Sequence, residues 1–315
     1  MSTIVFFHPA CLDHDTGQGH PERPDRLRAV KTALEADSFK SLIWHPAPEA
    51  RRDQLLLAHP ESHVDRILDS VPADGLIALD ADTILSPGSG EAALRAAGAA
   101  CAAVDAVMGG QAVNAFCATR PPGHHAEAVT PMGFCLFNNA AIGAQHARRE
   151  YGLKRVAVVD FDVHHGNGTQ DIFYEDSALF YASTHQSPLY PGTGAPHERG
   201  IANNILNVPL QGYADGSALR VAMEDRIVPA LEEFAPELLI ISAGFDAHKD
   251  DPLASLCFEP EDFAWATSKL LSVARDHCRG RLVSTLEGGY DLQGLATSTA
   301  AHVTALMKAS AAQDH

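Results

Sequence analysis

The sequence is short of positive charge and of long apolar runs. Lys and Arg total 23 against 40 Asp and Glu in 315 residues, which gives a formal net charge of −17. This charge repels nucleic acid phosphates and anionic membranes, and it favours cationic substrates such as polyamines or lysine-bearing segments, although solubility alone also explains it. No apolar run approaches the ~18 residues that a membrane span needs. We therefore expect neither a membrane nor a nucleic acid partner.

Linkers and paired cysteines are also missing from the sequence. No Gly/Ser-rich, Pro-rich or strongly charged tract divides the chain, so we predict one domain over residues 1–315. The six cysteines include no C-x-x-C pair, which predicts reduced and mostly buried thiols. The first residues, M-S-T-I-V-F-F-H, lack a basic leader before a long apolar stretch, so we expect a cytoplasmic protein without a signal peptide.

Short apolar runs alternate with longer segments of helical periodicity. The predicted strands are apolar at nearly every position, as parallel strands buried on both faces are: Thr3–Phe7, Val113–Cys117, Val156–Asp160, Ala178–Ala182, Ile205–Val208, Leu238–Ile241 and Leu282–Thr285. The predicted helices follow a three-to-four spacing of apolar residues: Arg26–Ala36, Glu91–Met108, Ala140–Glu150, Ser217–Phe234, Pro260–Asp276 and Leu292–Lys308. The alternation predicts a three-layer α/β fold with helices on both faces of a mainly parallel sheet. In such sheets, sites form beyond the carboxyl ends of the strands.

Two acidic residues and a histidine end one of the predicted strands. Asp160, Asp162 and His164 occupy alternate positions, so their side chains should share one face. Two strand residues span ~6.6 Å, a gap across which a carboxylate and an imidazole can converge on one cation. Asp246, after another apolar strand, can complete a set of two Asp and one His that leaves a tetrahedral position open for water. A buried network without metal is the alternative, and for Asp246 a helix N-cap.

A pair of adjacent histidines follows the R-P-P-G segment. This irregular lead-in would let both imidazoles, His124 and His125, face one point. Each needs an acceptor that fixes its tautomer, and Asp160 and Asn167 are the candidates. Asp160 would make its histidine more basic by charge, whereas Asn167 would leave its partner with a lower pKa. The pair therefore predicts two histidines with different roles; two structural histidines in a buried loop are the alternative.

Two further segments follow predicted strands. In L-E-G-G-Y the glycines allow a sharp turn, after which Tyr290 could aim its hydroxyl at a substrate carbonyl. A turn with a packed ring is the alternative for Tyr290. His248 and the charged residues 249–251 indicate a solvated loop.

Taken together, these motifs resemble the histone deacetylase and acetylpolyamine amidohydrolase superfamily. R-P-P-G-H-H-A, D-x-D-V-H-H-G-N-G-T-Q, S-A-G-F-D-A and L-E-G-G-Y occur in the family's order and spacing, and the similarity extends from about His20 to Leu306. The chain resembles the class II deacetylases and their bacterial relatives, since Asn167 stands where class I has an aspartate. The resemblance implies an arginase-like α/β fold with a central parallel sheet.

The resemblance also implies the metal ions. One Zn²⁺ per chain would be held by Asp162, His164 and Asp246, although the same ligands accept Fe²⁺. A structural K⁺ would be bound near the same strand by Asp160, Asp162, Ser183 and the carbonyl of His164.

The catalytic roles come from the same resemblance. His125 would act as general base and then as general acid. His124, paired with Asp160, would assist electrostatically, and Tyr290 would polarise the amide carbonyl beside the metal.

The family's substrate tunnel has aromatic walls. The resemblance matches Phe134 to one wall and Tyr190 to the other, and it matches Asp82 loosely to a rim residue that grips the substrate backbone. Core packing is the alternative for both rings. Leu253 stands where polyamine-selective relatives carry an acidic residue, which favours acyl-lysine substrates.

The sequence therefore predicts a zinc-dependent amidohydrolase that removes acetyl or related acyl groups from an amine, with a lysine side chain in a protein or peptide as the favoured substrate. Acetylpolyamine hydrolysis is one alternative. A binuclear manganese ureohydrolase on the same type of fold is another, and it would need more bridging aspartates. A non-catalytic module that binds acyl-lysine is the third. A homo-oligomer is left open.

Overall fold

The computed structural model describes residues 2–312, and parallel strands form the centre of this part of the chain. The strands are β1 (Thr3–Phe7), β2 (Ile43–Pro46), β3 (Ile77–Ala78), β4 (Ile84–Leu85), β5 (Asn114–Cys117), β6 (Val156–Asp160), β7 (Leu179–Gln186), β8 (Ile205–Leu210), β9 (Leu238–Ala243) and β10 (Leu282–Leu286). Eight of them form one sheet in the order β2-β1-β5-β10-β9-β6-β7-β8, and every neighbouring pair is parallel. Strands β3 and β4 pair separately as a short antiparallel ribbon.

Helices connect the strands and cover both faces of the sheet. They are α1 (Pro24–Leu34), α2 (Arg52–Leu55), α3 (Glu61–Asp69), α4 (Ser89–Met108), α5 (Asn139–Tyr151), α6 (Asn167–Phe173), α7 (Gly216–Ala222), α8 (Val228–Phe234), α9 (Pro260–His277) and α10 (Leu292–Ala312). A π-helical turn, Met223–Ile227, joins α7 to α8. In the described part of the chain, no helix combines the length and the apolar character that crossing a membrane requires.

The two faces of the sheet bury two separate hydrophobic clusters. Along β6, Ala157 and Val159 pack with side chains of α1, α9 and α10, whereas Val156 and Val158 pack with side chains of α3, α4 and α5. Successive strand residues point to opposite faces, so a strand buried on both faces is apolar at nearly every position. The predicted three-layer α/β fold is therefore confirmed.

All seven predicted strands are present, and all of them reach the residue predicted at the carboxyl end, four extending beyond it. The prediction missed β2, because it is a largely exposed edge strand with a proline and has no apolar run. It also missed α3, whose buried face includes His63 beside Val64 and Ile67. The predicted helix over 217–234 is present but is interrupted by the π-helical turn.

The six cysteines are all free, and only Cys257 is not fully buried, as predicted from their spacing.

The sheet order decides where the motifs meet. Strands β5, β10, β9 and β6 are consecutive at the centre of the sheet. Because parallel strands end at the same edge, the loops that follow these four strands lie side by side.

Candidate active site

Four loops at the carboxyl edge of the sheet carry the predicted site residues. His124 and His125 follow β5, and the Asp162 segment follows β6. Asp246 follows β9, and Tyr290 follows β10. The structure thus brings together side chains from across 167 residues of sequence, from His124 to Tyr290.

Three of these residues converge on one point. Ligand atoms of Asp162, His164 and Asp246 all lie within 4.8 Å of one another. The Nδ1 atom of His164 is 3.2 Å from Oδ1 of Asp162 and 3.1 Å from Oδ2 of Asp246. Among residues 2–312, this is the one group of at least three His, Cys, Asp or Glu side chains with such convergence.

The local backbone differs from the alternate-strand arrangement expected from the sequence. Strand β6 ends at Asp160, and the chain bends at residues 162–164, so the side chains of Asp162 and His164 project from a bend and not from a strand. Backbone N–H groups hold the acidic oxygens in place: Val163 donates to Asp246 at 2.8 Å, and Gly288 donates to Asp162 at 2.8 Å. The Asp246 side chain thus receives an N–H from a distant loop and does not cap a helix.

The donor set fits a divalent cation. Asp162 and Asp246 are fully buried, and burying two carboxylates 5 Å or less from each other is costly unless positive charge compensates them. Burial and the charge of Asp162 raise the pKa of Asp246 to about 7, well above the usual range of a carboxyl group. Two oxygens and one imidazole nitrogen are a donor set that Zn²⁺ accepts, with room for a further ligand.

Two glycines allow the backbone to approach these carboxylates. A Cβ atom at Gly244 would lie 2.0 Å from Oδ2 of Asp162, and one at Gly288 would lie 2.1 Å from Oδ2 of Asp246. Any larger residue would push the carboxylates apart. The S-A-G-F-D and E-G-G-Y motifs therefore need their glycines for close approach.

His124 is paired with an aspartate. Its Nδ1 lies 2.9 Å from Oδ2 of Asp160, and that oxygen also accepts the Tyr181 hydroxyl at 3.0 Å. Burial opposes charge on His124, but the charges of Asp162 and Asp160 outweigh it and raise the pKa of His124 well above its usual value. The two aspartates therefore favour the charged form of this imidazole.

His125 is paired with an amide instead. Its Nδ1 lies 2.8 Å from Oδ1 of Asn167, whose Nδ2 donates to Oε1 of Glu127 at 2.9 Å. Because Asn167 presents its carbonyl oxygen, Nδ1 of His125 carries the proton and Nε2 is the basic atom. Burial and the neighbouring His124 and His164 lower the pKa of His125 well below its usual value, so this imidazole is neutral.

A cavity of about 240 Å³ gives access to this cluster. His125, His164 and Tyr290 line it together with the four residues predicted for the tunnel, namely Phe134, Tyr190, Leu253 and Asp82. The rings of Phe134 and Tyr290 are 5.8 Å apart edge to face, and the rings of His125 and Tyr190 are 5.2 Å apart. Tyr190 remains 39% exposed, which places it on the outer part of the wall.

Tyr290 is buried and neutral. Burial raises the pKa of its hydroxyl well above the usual value, and Arg26 opposes this only in part. The guanidinium of Arg26 stacks over the ring at 4.8 Å. The phenol can therefore donate a hydrogen bond into the cavity at neutral pH.

The residues predicted to bind potassium lie on two adjacent strands. Asp160 of β6 and Ser183 of β7 are direct neighbours in the sheet register. The Ser183 hydroxyl is 2.9 Å from Nδ1 of His185. The potassium site stays a prediction.

Sequence reasoning missed several buried residues that support the site. Glu287 accepts the backbone N–H groups of Gly123 at 2.7 Å and His124 at 3.2 Å, and so it fixes the histidine loop. Arg26 donates to the carbonyl of Gly289 at 2.6 Å and pairs with Glu22 at 2.9 Å. The position of Glu287 inside L-E-G-G-Y, directly after a buried strand, was the available signal.

The prediction of a solvated loop over residues 248–251 is wrong in part. Lys249 and Asp250 are exposed, but His248 and Asp251 are buried. The Asp251 carboxylate accepts the backbone N–H of Tyr290 at 2.7 Å, a contact that no local pattern could indicate.

Comparisons with known proteins agree with this geometry. A family model described as the histone deacetylase domain matches residues 20–306. A probable deacetylase of Archaeoglobus fulgidus is 38% identical over 314 residues, which cover 98% of this chain and 86% of the relative. A histone deacetylase-like amidohydrolase of Pseudomonas aeruginosa is 38% identical over 311 residues, covering 91% of this chain and 81% of the relative.

A solved structure gives the same result for the fold. The structure titled as the HDA15 HD domain matches with a TM-score of 0.92 and 36% sequence identity, covering 98% of this chain and 89% of that one. The sequence resemblance, the family match and the fold thus agree over nearly the whole chain. The chain belongs to the histone deacetylase family and is a hydrolytic deacetylase.

Proposed function

We propose that the protein is a zinc-dependent deacetylase that hydrolyses the amide of an acylated lysine side chain. The observation that carries the proposal is the cavity itself. A neutral histidine, a protonated tyrosine and His164 of the metal-capable triad line one cavity of about 240 Å³, and the two aspartates of the triad lie directly behind His164. Each element of amide hydrolysis has a candidate residue there.

Asp162, His164 and Asp246 would hold the metal. A divalent ion in this position supplies Lewis-acid chemistry, since it polarises the amide carbonyl and makes a nearby water molecule more acidic. Two carboxylate ligands offset the charge of the ion, so that acidification is weaker than with three neutral histidines. An external base is therefore needed.

His125 is the proposed base. It is neutral, its Nδ1–H is committed to Asn167, and Nε2 is free to take a proton from water. The same nitrogen then returns the proton to the departing amine. His124, charged beside Asp160, contributes a fixed positive charge that favours the anionic transition state.

Tyr290 is the proposed hydrogen-bond donor to the carbonyl oxygen. Its hydroxyl stays protonated, and its ring contacts both the Arg26 guanidinium and the Phe134 ring. A donor fixed in this way needs no reorganisation as negative charge develops on the oxygen.

The walls of the cavity favour an acyl-lysine over an acetylpolyamine. Phe134, Tyr190 and Leu253 offer apolar surface to a methylene chain, and Leu253 gives no charge to a secondary amine. Asp82 at the cavity could still attract a cation. An acetylpolyamine is therefore the second candidate substrate.

The test is a turnover screen with metal analysis on the same samples. Purified protein, loaded with Zn²⁺ or Fe²⁺, is assayed against acetyl-lysine and longer acyl-lysine peptides, acetylputrescine and acetylspermidine. We expect about one metal ion per chain and the highest kcat/KM on an acyl-lysine peptide. A preference for acetylpolyamines would reverse the substrate assignment, and bound metal without hydrolysis of any acyl amide would point to a binding module. Two metal ions per chain would support a binuclear enzyme.

A further inference from the structure

The Asp251 carboxylate is an unusual feature of the loop after β9. The residue is 7% exposed, and its two oxygens accept three backbone N–H groups. Oδ1 accepts that of Leu253 at 3.0 Å, while Oδ2 accepts those of Tyr290 at 2.7 Å and Asp291 at 3.3 Å. Hydrogen bonds to an ionised carboxylate are roughly twice as strong as neutral ones.

These contacts join two walls of the cavity. Leu253 and Tyr290 both line it, but they belong to loops that follow different strands, β9 and β10. Asp251 uses one oxygen for each loop. The carboxylate therefore fixes the position of Leu253 relative to that of Tyr290. Leu253 lies on the wall proposed to contact the methylene chain of the substrate, and Tyr290 lies on the wall proposed to contact its carbonyl group.

The backbone beside Tyr290 needs such a restraint. Gly289 has φ +123°, a conformation that L side chains rarely adopt and that glycine leaves with little resistance. The conformation must be imposed by contacts on either side. Arg26 holds the Gly289 carbonyl at 2.6 Å, and Asp251 holds the next N–H.

We propose that Asp251 is a positioning residue that sets the Tyr290 hydroxyl for the carbonyl and couples it to the Leu253 wall. This inference rests on the proposed function, because it assigns Asp251 an effect on that reaction. It acts through Tyr290 and Leu253 and does not touch the substrate.

Asp251→Asn is the informative variant. An amide has one acceptor oxygen where the carboxylate has two. In the variant, the backbone N–H groups on one side, either that of Leu253 or those of Tyr290 and Asp291, would therefore meet an NH₂ group and lose their acceptor. Asp250→Asn is the matched control, because it removes the same charge from the adjacent residue, whose side chain is 62% exposed. Asp251→Ser, which keeps a single acceptor oxygen, replaces D251N if that variant does not fold.

The kinetic test uses a double-mutant cycle with Tyr290→Phe. We expect D251N to lower kcat about 10- to 100-fold, as misplacement of a catalytic group does, and D250N to change it by less than about twofold. In the Tyr290→Phe background, D251N should cost no more than about threefold, because the hydroxyl it positions is already gone. The preference for acetyl over butyryl peptides should shift in D251N by about threefold or more. An equal loss of kcat in both backgrounds would overturn the proposal, since it would mean a general structural effect.

Amide hydrogen exchange tests the same contacts without turnover. The N–H groups of Leu253, Tyr290 and Asp291 should exchange faster in D251N than in D250N or the parent protein. Unchanged exchange at all three would overturn the positioning role. If the parent protein hydrolyses no acyl amide, the proposed function fails, and the exchange rates still decide whether Asp251 holds the two loops.

Discussion

The contact between His125 and Asn167 gives the sharpest test of the proposed base. The two groups are buried and 2.8 Å apart, and Asn167 carries no charge. Asn167→Asp keeps the size of the side chain and places a negatively charged carboxylate next to Nδ1 of His125. The new carboxylate would also face Glu127, which now accepts the Asn167 amide at 2.9 Å. We therefore pair the change with Glu127→Gln, whose amide can donate to the new aspartate.

The magnitude follows from the distance. An opposite charge within 4–6 Å raises the pKa of a histidine by about 1–3 units, or about 1.4–4 kcal/mol. Burial and neighbouring histidines now hold the pKa of His125 well below its usual value. The double variant should therefore bring that pKa back towards or above 6.5.

The assay is the pH dependence of kcat/KM on an acyl-lysine peptide. A general base works only when unprotonated, so activity falls as the pH drops through its pKa. In the parent protein that acid limb should lie below pH 6.5. In Asn167→Asp with Glu127→Gln it should move about 1–3 units to higher pH.

Glu127→Gln alone is the control, because it leaves the amide of Asn167 against His125 and should leave the acid limb in place. An acid limb that does not move in the folded double variant would refute His125 as the base. A limb that moves equally in the control would assign the effect to Glu127 instead.

The other site residues and the buried histidines give three more tests. Tyr290→Phe should lower kcat about 100-fold without a change in melting temperature; near-normal kcat would exclude the hydroxyl from catalysis. Asp246→Ala should lose zinc on dialysis, as metal analysis would show, whereas retention of a full equivalent would place the ion elsewhere. Burial lowers the pKa of His59 and His302 to about 3 and that of His185 to about 4. Below pH 6.5 these histidines bind protons in the unfolded chain but not in the folded chain. Each of them should therefore lower the free energy of unfolding, measured by urea denaturation, by about 2 kcal/mol at pH 5. A free energy of unfolding that stays constant from pH 7 to 5 would contradict this.

Much of the fold could be predicted from local pattern. Strands such as Val156–Asp160 are apolar up to their last residue because both faces are covered, and that signal is contained in the four consecutive residues before Asp160. The motif residues could be found for a similar reason, since side chains such as Asp162 and His164 are polar where a packed core would not tolerate them. The sequence thus predicted seven of the strands and the three layers, and the family resemblance added the residues that line the cavity.

The residue pattern left the partners of the two histidines open, and only the family resemblance implied that His124 pairs with Asp160. Either Asp160 or Asn167 could have served either imidazole. The choice depends on how the loop after β5 lies against the loop after β6, and these strands are separated in the sheet by β10 and β9. The structure pairs His124 with Asp160 and His125 with Asn167, which gives one charged and one neutral imidazole.

The environments of two buried carboxylates were also determined only by tertiary structure. Asp251 has the local sequence of an exposed charged loop, and only the approach of the Tyr290 loop buries it. Glu287 is likewise explained only by the N–H groups of a loop that is distant in sequence. Local pattern indicates which apolar residues leave water, because hydrophobicity is a property of each side chain. It does not encode which distant backbone groups a buried charge will meet, because that is set by the order of the strands and the packing of the loops that follow them.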